Sequence, residues 1–136
     1  YVVGSKVTDE IKALEQPGNG IIIKGFVSEE ELAGLYASCK VVVVPLRYGA
    51  GVKGKVVEAI YNGAPIITTS TGAEGIPQVG QVLEVEDDPK VFADKTVALY
   101  QDNDRCRQMC EETQRYIREH FSMDGAWKVI ENDFSR

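Results

Sequence analysis

A chain of 136 residues with 43% hydrophobic content fills one cored domain and leaves little for a second. Its net charge of -6, from 21 acidic and 15 basic residues, argues against a nucleic-acid surface, which needs clustered positive charge. Cys39, Cys106, Cys110 and the single histidine, His120, show no metal-ligand spacing, so no metal site is expected.

Tyr1 to Val3 predicts a short strand turned by Gly4, and Val7 to Leu14 carries a helical pattern that Pro17-Gly18-Asn19-Gly20 ends. Ile21-Ile22-Ile23 predicts a second strand, with Lys24 to Val27 as the loop leaving it. Ser28 and Glu31 form a reciprocal capping box that opens a helix with Leu32, Leu35 and Tyr36 on its apolar face. Cys39, in an apolar run, reads as a buried thiol. Val41 to Val44, stopped by Pro45, has the pattern of a strand buried on both faces of a parallel sheet.

A helix over Val52 to Tyr61 is closed by Asn62-Gly63, and Pro65 to Thr69 is the next strand, with Gly72 to Gly75 as its exit loop. Val82 to Val85 is a further strand. Pro89 opens a helix to Tyr100 capped by Asp88 or Asp87, and helices follow over Asp104 to His120 and Asp124 to Phe134, the last with Trp127 and Ile130 inward. Cys106 and Cys110 share a helix, and His120 reads as a cap or surface residue. This alternation predicts an α/β fold: a Rossmann-like, doubly wound parallel sheet with helices on both faces and a helical C-terminal tail. The longest apolar run is too short to span a membrane, and the odd thiol count fits a reducing compartment, so a cytoplasmic location is expected.

In open parallel sheets the ligand lies beyond the carboxyl ends of the strands. The richest such end is Leu46 to Gly54. Gly49, Gly54 and Lys55 match the phosphate-loop spacing, but Val56 stands where a magnesium-binding hydroxyl is required, so triphosphate hydrolysis is disfavoured. A plainer anion site fits better. Gly49, Gly51 and Gly54 allow close backbone approach, while Arg47, Lys53 and Lys55 supply positive charge. Glu58, among apolar neighbours, is a semi-buried carboxylate placed to accept from sugar hydroxyls. Ser70 to Gly75 either contacts a phosphate or sugar or simply carries a turn. Tyr36, Tyr61 and Trp127 read as core aromatics, and no Ser-His-Asp, Cys-His or paired-carboxylate pattern is evident.

The block from Pro45 to Ala59, followed by Gly63 to Thr69 and Gly72 to Ile76, resembles the C-terminal, donor-binding domain of retaining GT-B glycosyltransferases of family 4. Val2-Val3-Gly4, Gly25-Phe26-Val27 and Phe121-Ser122 extend the likeness over nearly the whole chain. The resemblance implies that residues 1–136 form one half of a GT-B fold, a fragment lacking the domain's first strand and the entire N-terminal acceptor domain. It implies no cofactor and a nucleoside-diphosphate-sugar as donor substrate, held at Gly49, Ala50, Gly51, Val52, Lys53 and Glu58, with Glu58 on the ribose. Gly25, Phe26 and Val27 would hold the base, while Thr69 and Gly72 lie near the phosphates. Arg47, Lys53 and Lys55 become the candidate diphosphate stabilisers, and no catalytic residue is assigned to this half. The family's usual first glutamate is replaced here by Ala50. The full-length enzyme would pass the sugar to an acceptor hydroxyl with retention, and any membrane association would come through the absent half. The chain alone is expected to show no transfer. The alternatives are a GT-B-type sugar epimerase or a non-catalytic nucleotide-binding module.

Overall fold

The computed structural model describes residues 1–120, apart from the side chain of Gln81. The helix expected over Asp124 to Phe134, with Trp127 and Ile130, and the Phe121-Ser122 pair lie outside the described residues. The chain divides into two compact units, Tyr1–Leu35 and Tyr36–Arg136.

In the first unit, β1 (Val2–Val3) pairs in parallel with β2 (Ile23–Gly25), matching Val2 to Ile23 and Val3 to Gly25 across a register shift. The expected strand at Ile21 to Ile23 therefore begins two residues late. Asn19 takes up the backbone ahead of it: its Nδ2 donates to the Leu14 carbonyl at 2.7 Å, and its Oδ1 accepts from Ile21 N at 2.9 Å. That turn chemistry competes with the ladder for the first isoleucine. The first helix is also shorter than predicted, α1 (Asp9–Lys12), with Thr8 Oγ1 accepting from Ile11 N. Next comes α2 (Glu29–Ser38), where Ser28 Oγ accepts from Glu31 N at 3.1 Å and the Glu31 carboxylate accepts from Lys24 Nζ at 2.8 Å. No residue of Tyr1–Leu35 is fully buried.

The second unit holds the core. Its strands β3 (Val42–Val44), β4 (Ile66–Thr68) and β5 (Glu84–Val85) form a parallel sheet in the order β3-β4-β5. Between them lie α3 (Gly54–Tyr61), a single helical turn α4 (Ser70–Ala73) and a 3-10 turn at Val79–Gln81, and after them come α5 (Pro89–Gln101) and α6 (Asn103–His120). Parallel strands spaced by helices make this a Rossmann-like α/β architecture.

Central β4 is buried throughout, with Ile66, Ile67 and Thr68 at 0% exposure. Complete burial of one such isoleucine is worth about 1.5–3 kcal/mol. Val56, Val57 and Ile60 bring the apolar face of α3 onto the same cluster, with Val44, Val82, Leu83 and Tyr116. Tyr36 and Tyr61 pack against it partly buried, as their helical positions predicted.

Two expectations need correction. The run Val41 to Val44 is not buried on both faces: Val44 joins the core and Val42 packs against it, but Val43, pointing oppositely, is 47% exposed. In the order β3-β4-β5, the strand buried on both faces is β4. Cys39 is only half-buried, its Sγ donating to the Tyr36 carbonyl.

The C-terminal helices follow local chemistry closely. Asp88 caps α5 by accepting from Lys90 N and Val91 N, with Pro89 at the first helical position. Along α6, Cys106, Met109, Thr113 and Tyr116 form the buried stripe, packed on α3 and α5, while Cys110 is half-buried and His120 is exposed beside the Tyr116 ring.

Candidate functional site

The candidate site gathers at the carboxyl ends of β3, β4 and β5. Leu46 and Arg47 leave β3, Thr69, Ser70 and Thr71 leave β4, and Asp87 follows β5; together they line a cavity of about 380 Å³. Side-chain hydroxyls hold these ends in place. Thr68 Oγ1 donates to the Val44 carbonyl at 2.8 Å, and Thr69 Oγ1 donates to the Leu46 carbonyl at 2.5 Å while accepting from Gly72 N. Asp87 Oδ1 accepts from Ser70 N at 2.8 Å. A Cβ on Gly72 would stand 1.9 Å from Thr68 Oγ1, so only glycine fits against this hydroxyl.

The stretch expected to be an exit loop, Gly72 to Gly75, begins inside α4, which Thr69 caps. One turn containing a glycine has too little periodicity to be read as a helix from sequence. The loop after β3 does have the backbone that the sequence asked for. Gly49 and Gly51 take φ values of +129° and +73°, which L side chains rarely adopt, whereas Gly54, expected to share that freedom, opens α3 without a positive φ. Val56 is fully buried, so its side chain faces the core where a phosphate loop would place a metal-binding hydroxyl.

The three cations differ. Arg47 and Lys55 are exposed and form no ion pair among the described residues. Lys53 is turned inward at 8% exposure; its Nζ donates to the Gly51 carbonyl at 2.5 Å and pairs with Glu74 Oε2 at 3.4 Å. Glu58, on α3, is half-buried as expected, and Tyr36 Oη donates to its Oε2 at 3.4 Å. Burial and then the Glu58 charge push the Tyr36 phenol well above its usual range, so it stays a neutral donor to the carboxylate.

Gly49, Ala50, Gly51, Val52, Lys53, Lys55, Glu58, Thr69 and Gly72 thus belong to one unit, together with Arg47. Gly25, Phe26 and Val27 belong to the other. There Gly25 ends β2 with φ +64° and Phe26 is 80% exposed. Three features escaped the sequence reading: the Tyr36–Glu58 bond, the Lys53–Glu74 pair and Asp87 at the cavity. Each joins residues far apart in the chain, and no local spacing announces them. Among the described residues no group of His, Cys, Asp and Glu is placed to hold a metal, and no helix is long and apolar enough to cross a membrane.

Comparison with known proteins gives the family. Residues 1–102 match the model of "Glycosyl transferases group 1". The chain is 28% identical over 114 residues to an uncharacterized 44.6 kDa protein in the cps region of Klebsiella pneumoniae, covering 83% of this chain and 29% of that protein. No solved structure matches. The family match takes in the glycine loop, both threonines at the end of β4 and the Glu58 helix, so the chain belongs to the glycosyl transferases group 1 family.

Proposed function

We propose that this chain binds the nucleoside diphosphate of a sugar donor, and that the full-length protein transfers the sugar to an acceptor hydroxyl with retention. The observation that carries this is the grouping, in one unit, of a positive-φ glycine loop, the exposed cations Arg47 and Lys55, and the half-buried carboxylate of Glu58. Breaking a glycosidic bond to a diphosphate leaves charge on the departing phosphate. Backbone N–H groups and cations already in place stabilise that charge without rearranging. In this reading Arg47 and Lys55 meet the diphosphate and Glu58 accepts from the ribose hydroxyls, its second oxygen steadied by Tyr36. Ala50 supplies no carboxylate to the sugar, so sugar contacts here come from the loop backbone.

The test is calorimetric titration with nucleoside diphosphates and their sugars. Glu58→Ala is expected to weaken binding about ten-fold or more, the worth of a hydrogen bond to a charged group. Unchanged affinity in that variant would remove Glu58 from the site.

A further inference from the structure

We infer that Lys53 is a positioning residue: clamped by Glu74, it sets the conformation of the glycine loop that, in the reading above, receives the donor diphosphate. Lys53 stands at the N-cap of α3 and makes no side-chain capping bond, since an ammonium has no acceptor to offer the helix N–H groups. It folds back over its own loop, leaving the side chain 11% exposed. The stem passes over Gly49 so closely that a Cβ there would lie 2.8 Å from Lys53 Cε. Its Nζ reaches the Gly51 carbonyl at 2.5 Å and Glu74 Oε2 at 3.4 Å.

A second contact works with the first. Val52 Cγ2 lies where a Cβ on Gly75 would come within 2.9 Å, so the segments after β3 and after α4 also touch one residue along from the ion pair. Gly51 has φ +73° and lacks a side chain to restrict it, so its peptide would turn readily without the lysine. The peptide unit is planar and trans, so a Gly51 carbonyl aimed at Nζ sends the Val52 N–H the opposite way. Lys53 therefore fixes the direction of a loop donor while its own charge is satisfied by Glu74. Arg47 and Lys55 then supply the exposed positive charge.

The rival role, direct contact of Lys53 with the phosphate, predicts the opposite sign for one variant. Glu74 is about half exposed, so Glu74→Gln is expected to leave the melting temperature within ~2 °C of the parent. If Lys53 positions the loop, Glu74→Gln weakens binding of uridine, guanosine or adenosine diphosphate about three- to ten-fold, although the variant carries more positive charge. If Lys53 contacts the anion and Glu74 competes for it, the same variant binds more tightly. Tighter or unchanged binding overturns the positioning role. Amide relaxation on the ligand-free chain supplies an independent arm: order parameters of the Gly51 and Val52 amides are expected to fall from about 0.85 toward about 0.6 in Glu74→Gln and in Lys53→Met. Unchanged order parameters in both variants overturn the clamp whether or not any nucleotide binds. Lower order parameters with no nucleotide bound by the parent protein support the clamp and overturn the donor-site reading instead.

Discussion

The two units of this chain handle similar apolar sequence in opposite ways. Ile21-Ile22-Ile23 lies in Tyr1–Leu35, where Ile22 is 45% exposed, while Ile66-Ile67 lies in the second unit at 0% exposure. Both runs are β-branched and both adjoin a parallel pairing. The second unit surrounds its isoleucines with α3, β3 and β5, whereas β1 and β2 form a sheet of two strands alone. Strand propensity is a property of the run, but burial depends on what covers it.

The comparison is broken most directly by truncation. Ile66→Ala is expected to cost about 2–5 kcal/mol, from lost burial and the cavity left behind. Ile22→Ala should cost no more than about 0.5 kcal/mol, the range of an exposed change. Denaturant unfolding of the two variants checks this, and equal costs would mean that Tyr1–Leu35 is as well packed as the β4 layer. Smaller is the effect of Gly72→Ala. Its Cβ displaces Thr68 Oγ1 from the Val44 carbonyl, leaving a buried acceptor unsatisfied, for about 1–3 kcal/mol. Gly34→Ala, in α2, meets nothing within 4 Å and should be neutral or slightly stabilising by helix propensity, since Ala is better than Gly in a helix by about 0.8–1.0 kcal/mol.

The smallest difference is predicted where burial plays no part. Each unit carries a surface ion pair of similar length, Lys24–Glu31 at 2.8 Å and Lys95–Glu86 at 2.9 Å. The hydrogen bond from Lys95, with backbone N–H groups, holds the Glu86 carboxyl below its ordinary value of 4.5. A lowered folded value means stability that is present above the ordinary carboxylate range and lost as pH falls through the folded one. Lys95→Ala should therefore lower the melting temperature slightly at pH 7 and not at all below the folded carboxyl value, which flattens the acid limb. The Glu31 partner raises Lys24, so its contribution is complete below 10.5 and fades as pH rises through the higher folded value. Lys24→Ala should remove that small contribution below 10.5 and leave stability above the folded value unchanged, so its alkaline limb is flatter.

Much of the candidate site was legible because it is local. The glycines and cations of residues 47–55 lie within one loop, and Glu58 follows on the next helical turn. Asp88 and Pro89 marked the start of α5 by the same kind of short-range chemistry. Local sequence failed where a partner decided the outcome. Val41 to Val44 promised a strand buried on both faces, yet only the Val44 side joins the core and Val43 is left 47% exposed. Lys53 looked like one of three equivalent cations until Glu74, 21 residues on, was found beside it.

By itself, then, the sequence determined the α/β alternation, the glycine backbone after β3 and the absence of a metal-binding hydroxyl at Val56, because each rests on a residue's own φ/ψ freedom, period or functional group. Only the tertiary structure decided which isoleucines are buried, which lysine is turned inward and which tyrosine steadies Glu58. Those outcomes depend on contacts between segments far apart in the chain, and no spacing along the chain encodes them.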